Sequence, residues 1–412
     1  MDILYLILVL LVVTRVFAEL AERVGLPAIV GELIAGVALG LGMSRFHDSW
    51  SVLWRATQSE TYESIVGLGM FFLMLLAGIR MEPLDFARTS KSAVLVALGG
   101  MFVPVASGLL LGTLVLPESP VKTLQSMFLG VALAITAVPV AVRIFLEAGQ
   151  LDSRVGKMVI AAALWDDVIS LVLLALLVMA MTGGGLAALS AGGAAIVAAK
   201  VVLFFAITIP VGVYVFPFLG RYFKYLRFPE VDFSMLLIGG LAYAILAESL
   251  GMHFIIGAFM AGMFFHPKAV DEAIYEKVER QMSGITRGFL APVFFVSVGL
   301  HIDFSAVTAV PAFVVSLVAI ALLSKLIGAG LPAYWLGLSG REAMMVGAGM
   351  SARGAVELIV AGVALQAGLF LQPAPPPAIV SSLYSSIVIM ALVTTVLAPL
   401  ILRFLMRKEP SG

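Results

Sequence analysis

The sequence contains no cysteine, which excludes disulfides and thiolate metal sites and leaves the compartment open. Charge is scarce too: Asp, Glu, Lys and Arg make up 12% of the 412 residues and sum to zero, so no nucleic-acid partner is indicated. Histidine is rare, and His253, His266 and His301 fall near the ends of apolar runs, where a proton-sensing role is secondary. What the chain has in excess is apolar. It is 61% hydrophobic with a mean hydropathy of +1.11, and runs long enough to cross a bilayer recur from end to end. This composition predicts an all-α polytopic membrane protein with a lipid bilayer as its surroundings. The first run, Ile3 to Ala18, has no basic leader and continues into Glu19 and Glu22 rather than a small-residue cleavage site, so it reads as a retained helix. Nothing after Arg403 is long enough to fold into a further domain.

The runs lie approximately at 3–20, 27–43, 62–79, 92–116, 124–146, 155–181, 194–219, 233–247, 252–265, 289–300, 306–336, 343–371 and 378–405, which predicts about thirteen crossings. Alternating the loops across that count puts Arg23, Arg80, Arg154, Lys157, Arg221, Arg280, Arg341, Arg403 and others on one side. Only Arg45, Arg55 and Lys122 fall on the other. By the positive-inside rule the C-terminus is cytoplasmic and the N-terminus outside. The segment Pro267 to Arg287 mixes both signs of charge at helical spacing and reads as an amphipathic cytoplasmic connector.

Against this background Trp165-Asp166-Asp167-Val168 stands out, two adjacent carboxylates in the middle of a span. Each aspartate at a helix centre costs roughly 2.5–3.5 kcal/mol on insertion scales, whereas a Leu, Ile or Val returns only roughly 0.3–0.6. A helix turns about 100° per residue, so the two side chains are expected to do different work. One, facing a cavity, is favoured in its protonated form by desolvation and by its charged neighbour, and can hold either a proton or an alkali cation. The other needs a counter-charge, and Lys325 is the best candidate, with a purely structural ion pair as the alternative.

Two stretches interrupt helices in mid-membrane. One is Ala132-Leu-Ala-Ile-Thr136-Ala-Val-Pro139-Val-Ala-Val-Arg143, where the proline removes a donor. The other is Gly347-Ala-Gly349-Met-Ser351-Ala-Arg353-Gly354-Ala-Val-Glu357, with three glycines, a serine and two ions. Irregular backbone at membrane depth has to line a cavity, and paired interruptions in two halves of a chain point to a transport site. Arg353 and Glu357, four residues apart, either balance the half-helix ends or pair with each other. Glu32 reads as an interhelical partner, and Arg15 and Lys200 as residues that snorkel or pair locally.

Three further stretches carry a resemblance: Leu26-Pro-Ala-Ile-Val-Gly-Glu to Gly40, Gly251-Met-His-Phe-Ile-Ile-Gly to Gly262, and Pro292-Val-Phe-Phe-Val-Ser-Val-Gly-Leu300. With the Asp166-Asp167 pair and the broken helices, they resemble the monovalent cation:proton antiporters. The branch is the one holding bacterial Na⁺/H⁺ exchangers, glutathione-gated K⁺ efflux systems and plant cation/proton exchangers. The resemblance implies inverted repeats with two crossed broken helices and a homodimer. It implies a dimer or scaffold part at about 1–80 and 230–301, a linker helix at about 194–219, and an ion-translocating core at about 90–182 and 305–407 that slides against the scaffold. Carried over by position, Asp167 matches the carboxylate for which cation and proton compete, Asp166 its neighbour, Lys325 the lysine of the salt bridge, and Thr136 the first crossing. The K⁺ efflux branch usually has Gln-Asp at the pair, so Asp166 favours Na⁺ over K⁺. The acid of the second crossing stands at Glu357, as in the plant exchangers, rather than close after Arg353-Gly354.

Secondary antiport without any cofactor is therefore the expected activity, in a bacterial inner membrane, with a role in pH homeostasis. A cation channel or uniporter using the same site is the alternative. An intramembrane aspartyl protease would need one aspartate from each of two helices, and these are sequence neighbours.

Overall fold

Lipid removes the hydrophobic drive between spans, so transmembrane helices associate where small residues let backbones approach closely. The glycine contacts among the described residues follow that rule. The computed structural model describes residues 2–45, 50–81, 91–136, 145, 150, 153–182, 191–218, 230–267, 270–303 and 305–406, and all regular secondary structure among them is helical.

The chain divides into two units, each taking one segment from either half of the sequence: Met1–Pro83 with Ala194–His301, and Leu84–Gly193 with Ile302–Gly412. The stretch expected as a linker helix, 194–219, groups with the first unit.

In the first unit the helices Asp2–Arg23, Ala28–Arg45, Glu60–Ile79, Val231–Ser249 and Phe254–Phe264 pack with the run Glu272–Leu300. A Cβ on Gly78 would lie 2.1 Å from the carbonyl oxygen of Phe259, one on Gly262 2.2 Å from that of Leu75, and one on Gly36 2.4 Å from that of Val296. Gly251 takes φ +83° in the turn between Val231–Ser249 and Phe254–Phe264, which makes two helices of what could pass for one run.

In the second unit Lys91–Val115 is the common partner of Lys122–Ala134, Arg154–Thr182 and Pro311–Trp335. It meets Pro311–Trp335 at Gly99 and Gly328, where a Cβ on Gly328 would stand 2.5 Å from the Gly99 carbonyl oxygen. It meets Lys122–Ala134 where Gly108 and Gly112 face Gly130 and Ser126. Large apolar side chains such as Phe102, Leu114 and Phe404 are about three-quarters exposed on these long helices, as lipid-facing residues are.

Among the described residues eight helices are long and apolar enough to cross a membrane, and shorter apolar helices such as Ala28–Met43 and Phe254–Phe264 lie beside them. The expected count of about thirteen draws on those shorter pieces as well. Some expected boundaries shift. The polar connector and the span expected at 289–300 are one helical run, Glu272–Ile285 passing through a π-turn at Thr286–Leu290 into Ala291–Leu300. Pro292 lacks the N–H that would complete the ladder, and the wider turn beside it absorbs the loss. Pro210 has the same neighbour, a π-turn at Val211–Val215. The run expected at 306–336 is split at Val310, just before Pro311. The polar part of the Glu272 helix is held by ion pairs: Arg80 to Glu279 at 2.6 Å and Lys277 to Glu230 at 3.3 Å, with Tyr275 Oη donating to the carbonyl of Ile79.

Candidate functional site

In the second unit one helix ends and another is interrupted at places foreseen in the sequence, and those two places touch. The helix Lys122–Ala134 ends at Ile135, whose extended backbone leads to Thr136. Pro139 and Arg143 lie outside the described residues. The run expected at 343–371 is two helices, Gly340–Gly349 and Ala355–Gln366, with Met350 to Gly354 unwound between them. A capping box starts the first of these: Glu342 N donates to Ser339 Oγ, and Ser339 N donates to the Glu342 carboxylate.

At the contact, Thr136 Oγ1 donates to the carbonyl of Met350 at 3.0 Å and accepts from Lys325 Nζ at 2.7 Å. Lys325 Nζ also reaches both carboxylate oxygens of Asp166, at 3.1 and 3.3 Å. Lys325 and Asp166 are fully buried. One ammonium thus joins the helix Arg154–Thr182, the helix Pro311–Trp335 and the first interruption, and Thr136 passes the connection to the second. Asp167 follows Asp166 in the same helix; its side chain lies outside the described set.

Arg353, also fully buried, reaches across to the end of the first half-helix. Its guanidinium donates to the carbonyls of Ala132 at 3.0 Å, Leu133 at 2.5 Å and Ile135. These are carbonyls that a terminating helix leaves without partners, and they carry the negative end of its dipole. Arg353 Nε stands 3.7 Å from a carboxylate oxygen of Glu357, which occupies the first turn of Ala355–Gln366, where a negative charge faces the positive end of that helix. Of the two readings open in the sequence, the half-helix ends take the hydrogen bonds, and the Arg353–Glu357 contact is an ion pair at longer range. Ser351 turns to its own helix and donates to the carbonyl of Gly347 at 2.7 Å.

Two contributors escaped the sequence reading. Thr395 Oγ1 donates to the carbonyl of Arg353 at 3.2 Å and so ties the unwound segment to the helix Leu383–Met406. No local pattern marks it, since a threonine inside a helix ordinarily bonds only its own turn. Gln125, fully buried, donates through Nε2 to the carbonyls of Leu369 and Gln372 at 2.9 and 2.7 Å, holding the starting turn of one half-helix to the chain that follows the other. A glutamine inside an apolar run was a signal available in the sequence. Outside this site Arg15 donates to the carbonyls of Arg287 and Gly288 at 2.7 and 2.8 Å, and Glu32 is buried in Ala28–Arg45.

Known proteins share this chain from end to end. It is 31% identical to the Na(+)/H(+)-K(+) antiporter GerN of Bacillus cereus over 97% of its own length and 95% of that protein. It is 29% identical to a Na(+)/H(+) antiporter of Enterococcus hirae over 99% of both. The structure of the sodium proton antiporter MjNhaP1 from Methanocaldococcus jannaschii superposes with a TM-score of 0.71 at 19% identity, covering 100% of this chain and 99% of that one, which gives the fold. These relatives are transporters rather than enzymes. The family profile described as sodium/hydrogen exchanger, transmembrane, matches residues 7–408, and the chain belongs to that family.

Proposed function

We propose that the protein is a secondary antiporter that exchanges a monovalent cation for protons, with Na⁺ as the first choice and K⁺ as the alternative. The observation that carries the reading is the buried Asp166–Lys325–Thr136 connection at the contact of two interrupted helices. It supports the reading because it neutralises one member of the acid pair, Asp166, and so leaves Asp167 as the carboxylate proposed for the transported ions. Metal ion and proton are then alternative occupants of one carboxylate, and that competition is the exchange. Similarity to antiporters over the whole chain, one of them named for both Na⁺ and K⁺, supports the same class.

Hard alkali cations take oxygen ligands. Asp167, Asp166 and the oxygens around Thr136 are the donors on offer, while Pro139, Ser351, Arg353 and Glu357 belong to the interruptions that shape the site. Alternating access of the elevator type, with Leu84–Gly193 and Ile302–Gly412 as the moving unit and Met1–Pro83 with Ala194–His301 as the scaffold of a homodimer, completes the proposal. The protein sits in a bacterial inner membrane with its N-terminus outside and its C-terminus in the cytoplasm, and serves pH homeostasis.

The test is purified protein in liposomes carrying an interior pH dye, with Na⁺ or K⁺ added in turn. Cation addition should drive a pH change that Asp167→Asn abolishes. A cation current with no accompanying proton movement would identify a channel or uniporter instead, and an undiminished response in Asp167→Asn would remove the assigned carboxylate from the mechanism.

A further inference from the structure

Buried hydroxyls inside the helices of this protein have a habit. Thr14, Ser126, Thr208, Thr394 and Thr395 each donate to the carbonyl four residues back, at 2.7–2.8 Å. Ser170 does not. It is 2% exposed, and its Oγ is buried with no hydrogen-bond partner among the described residues. Ser324, Ser386 and Thr286 share that state, but none of them lies on the aspartate helix. Ser170 lies on Arg154–Thr182 four residues after Asp166, so the two occupy one helix face a turn apart.

An unpartnered buried hydroxyl loses the hydrogen bonds it made to water, which is a cost a folded protein avoids unless the group has another use. A serine oxygen has two lone pairs and one proton, and can give a lone pair to a cation while its proton turns to the main-chain carbonyl behind it. The site needs such an oxygen. Both carboxylate oxygens of Asp166 already accept from Lys325, so whatever the acid pair still gives an alkali ion, the rest of its shell has to be completed with neutral oxygens.

We propose that Ser170 Oγ is a ligand of the transported monovalent cation. This rests on the antiport reading above for the identity of the ion, but binding can be read apart from transport. Ser170→Ala should raise the apparent KM for Na⁺ about tenfold, the effect of one lost polar contact, with the maximal rate at saturating Na⁺ kept. In detergent it should shrink the rise in Tm that Na⁺ produces while leaving the Tm without Na⁺ in place. Ser107→Ala, which removes a helical hydroxyl bonded to the Val103 carbonyl, should change neither readout.

An unchanged KM and an unchanged Na⁺-dependent Tm rise in Ser170→Ala would overturn the assignment. So would an equal fall in Tm with and without Na⁺, which marks a structural hydroxyl. If the wild-type protein moves no protons when Na⁺ is added, the antiport reading fails, and the Na⁺-dependent Tm rise still decides whether Ser170 holds the ion.

Discussion

Arg353 offers the sharpest test of how the two interruptions are held. Its guanidinium serves three carbonyls at the end of Lys122–Ala134 and faces Glu357 at 3.7 Å, all of it buried. Arg353→Gln removes the charge and the fork of donors together. Stranding buried carbonyls costs about 1–3 kcal/mol for each group, and breaking a buried ion pair by removing one partner about 3–5 kcal/mol. Since these effects overlap, a loss on the order of 5 kcal/mol is expected, a large part of the stability of an ordinary domain. Arg353→Lys keeps the charge but presents a point donor in place of a planar fork, so about 2–3 kcal/mol should be lost. Thermal unfolding in detergent, followed by intrinsic fluorescence, reads both.

The deciding comparison adds Glu357→Gln to Arg353→Gln. If the arginine acts mainly on the half-helix carbonyls, the double variant recovers the part due to a stranded carboxylate and still lacks the rest, at least about 2–3 kcal/mol. A double variant as stable as the wild type would refute the reasoning, because it would make the Arg353–Glu357 pair the whole of the arginine's contribution.

Lys325→Ala should cost about 3–5 kcal/mol, because it leaves Asp166 buried without its partner, and adding Asp166→Asn should restore much of that loss in the same melting assay. Gly328→Ala should fail to assemble or lose at least about 1–3 kcal/mol, since the new Cβ would stand 2.5 Å from a main-chain oxygen that cannot move aside; yield and Tm measure it. Ser339→Ala should destabilise the protein by about 1 kcal/mol through loss of the helix cap. Glu342 at the same cap is held below the ordinary carboxylate range, first by the Ser339 N–H and then by the Ser339 side chain, so its stabilisation is complete above the ordinary carboxylate range and is lost as pH falls through the lowered value. A pH series of melts on wild type and Glu342→Gln should therefore differ at neutral pH and converge only at acid pH.

How much of this could be read in the sequence depended on how unusual each residue was for its surroundings. Asp166, Lys325, Arg353 and Glu357 were conspicuous because charge is so rare in apolar runs, and a few buried ions of opposite sign leave few ways to pair. Gly347, Gly349 and Gly354, common as glycine is in this chain, announced a break by clustering beside Ser351 and two ions. What stayed hidden was reach. Nothing near Arg353 shows that its guanidinium will bond carbonyls some two hundred residues earlier, because the partners are main-chain atoms and every residue has those. Nor does a local pattern separate Thr395, which grips the carbonyl of Arg353, from Thr394, which bonds only its own helix. The polar stretch before Arg287 reads as a separate connector by composition, yet it continues into the next span, since a π-turn can carry a helix past a proline that composition treats as a stop.

The arrangement of charge at the contact bears on where a transported ion can be held. Half-helix ends left open at membrane depth would themselves offer partial charges to an ion. Among the described residues they are occupied. The negative end of Lys122–Ala134 faces the Arg353 guanidinium, the positive end of Ala355–Gln366 carries Glu357, and the carbonyl of Met350 at the close of Gly340–Gly349 accepts from Thr136. Lys325 adds a second fixed positive charge, which Asp166 meets. With the helix ends answered by the protein's own groups, little dipole remains to balance an arriving cation. The counter-charge has to come from a carboxylate, and a carboxylate, unlike a helix end, can also take a proton, so neutralising Asp167 alone should abolish exchange while the Asp166–Lys325 pair, and the crossing with it, stays in place.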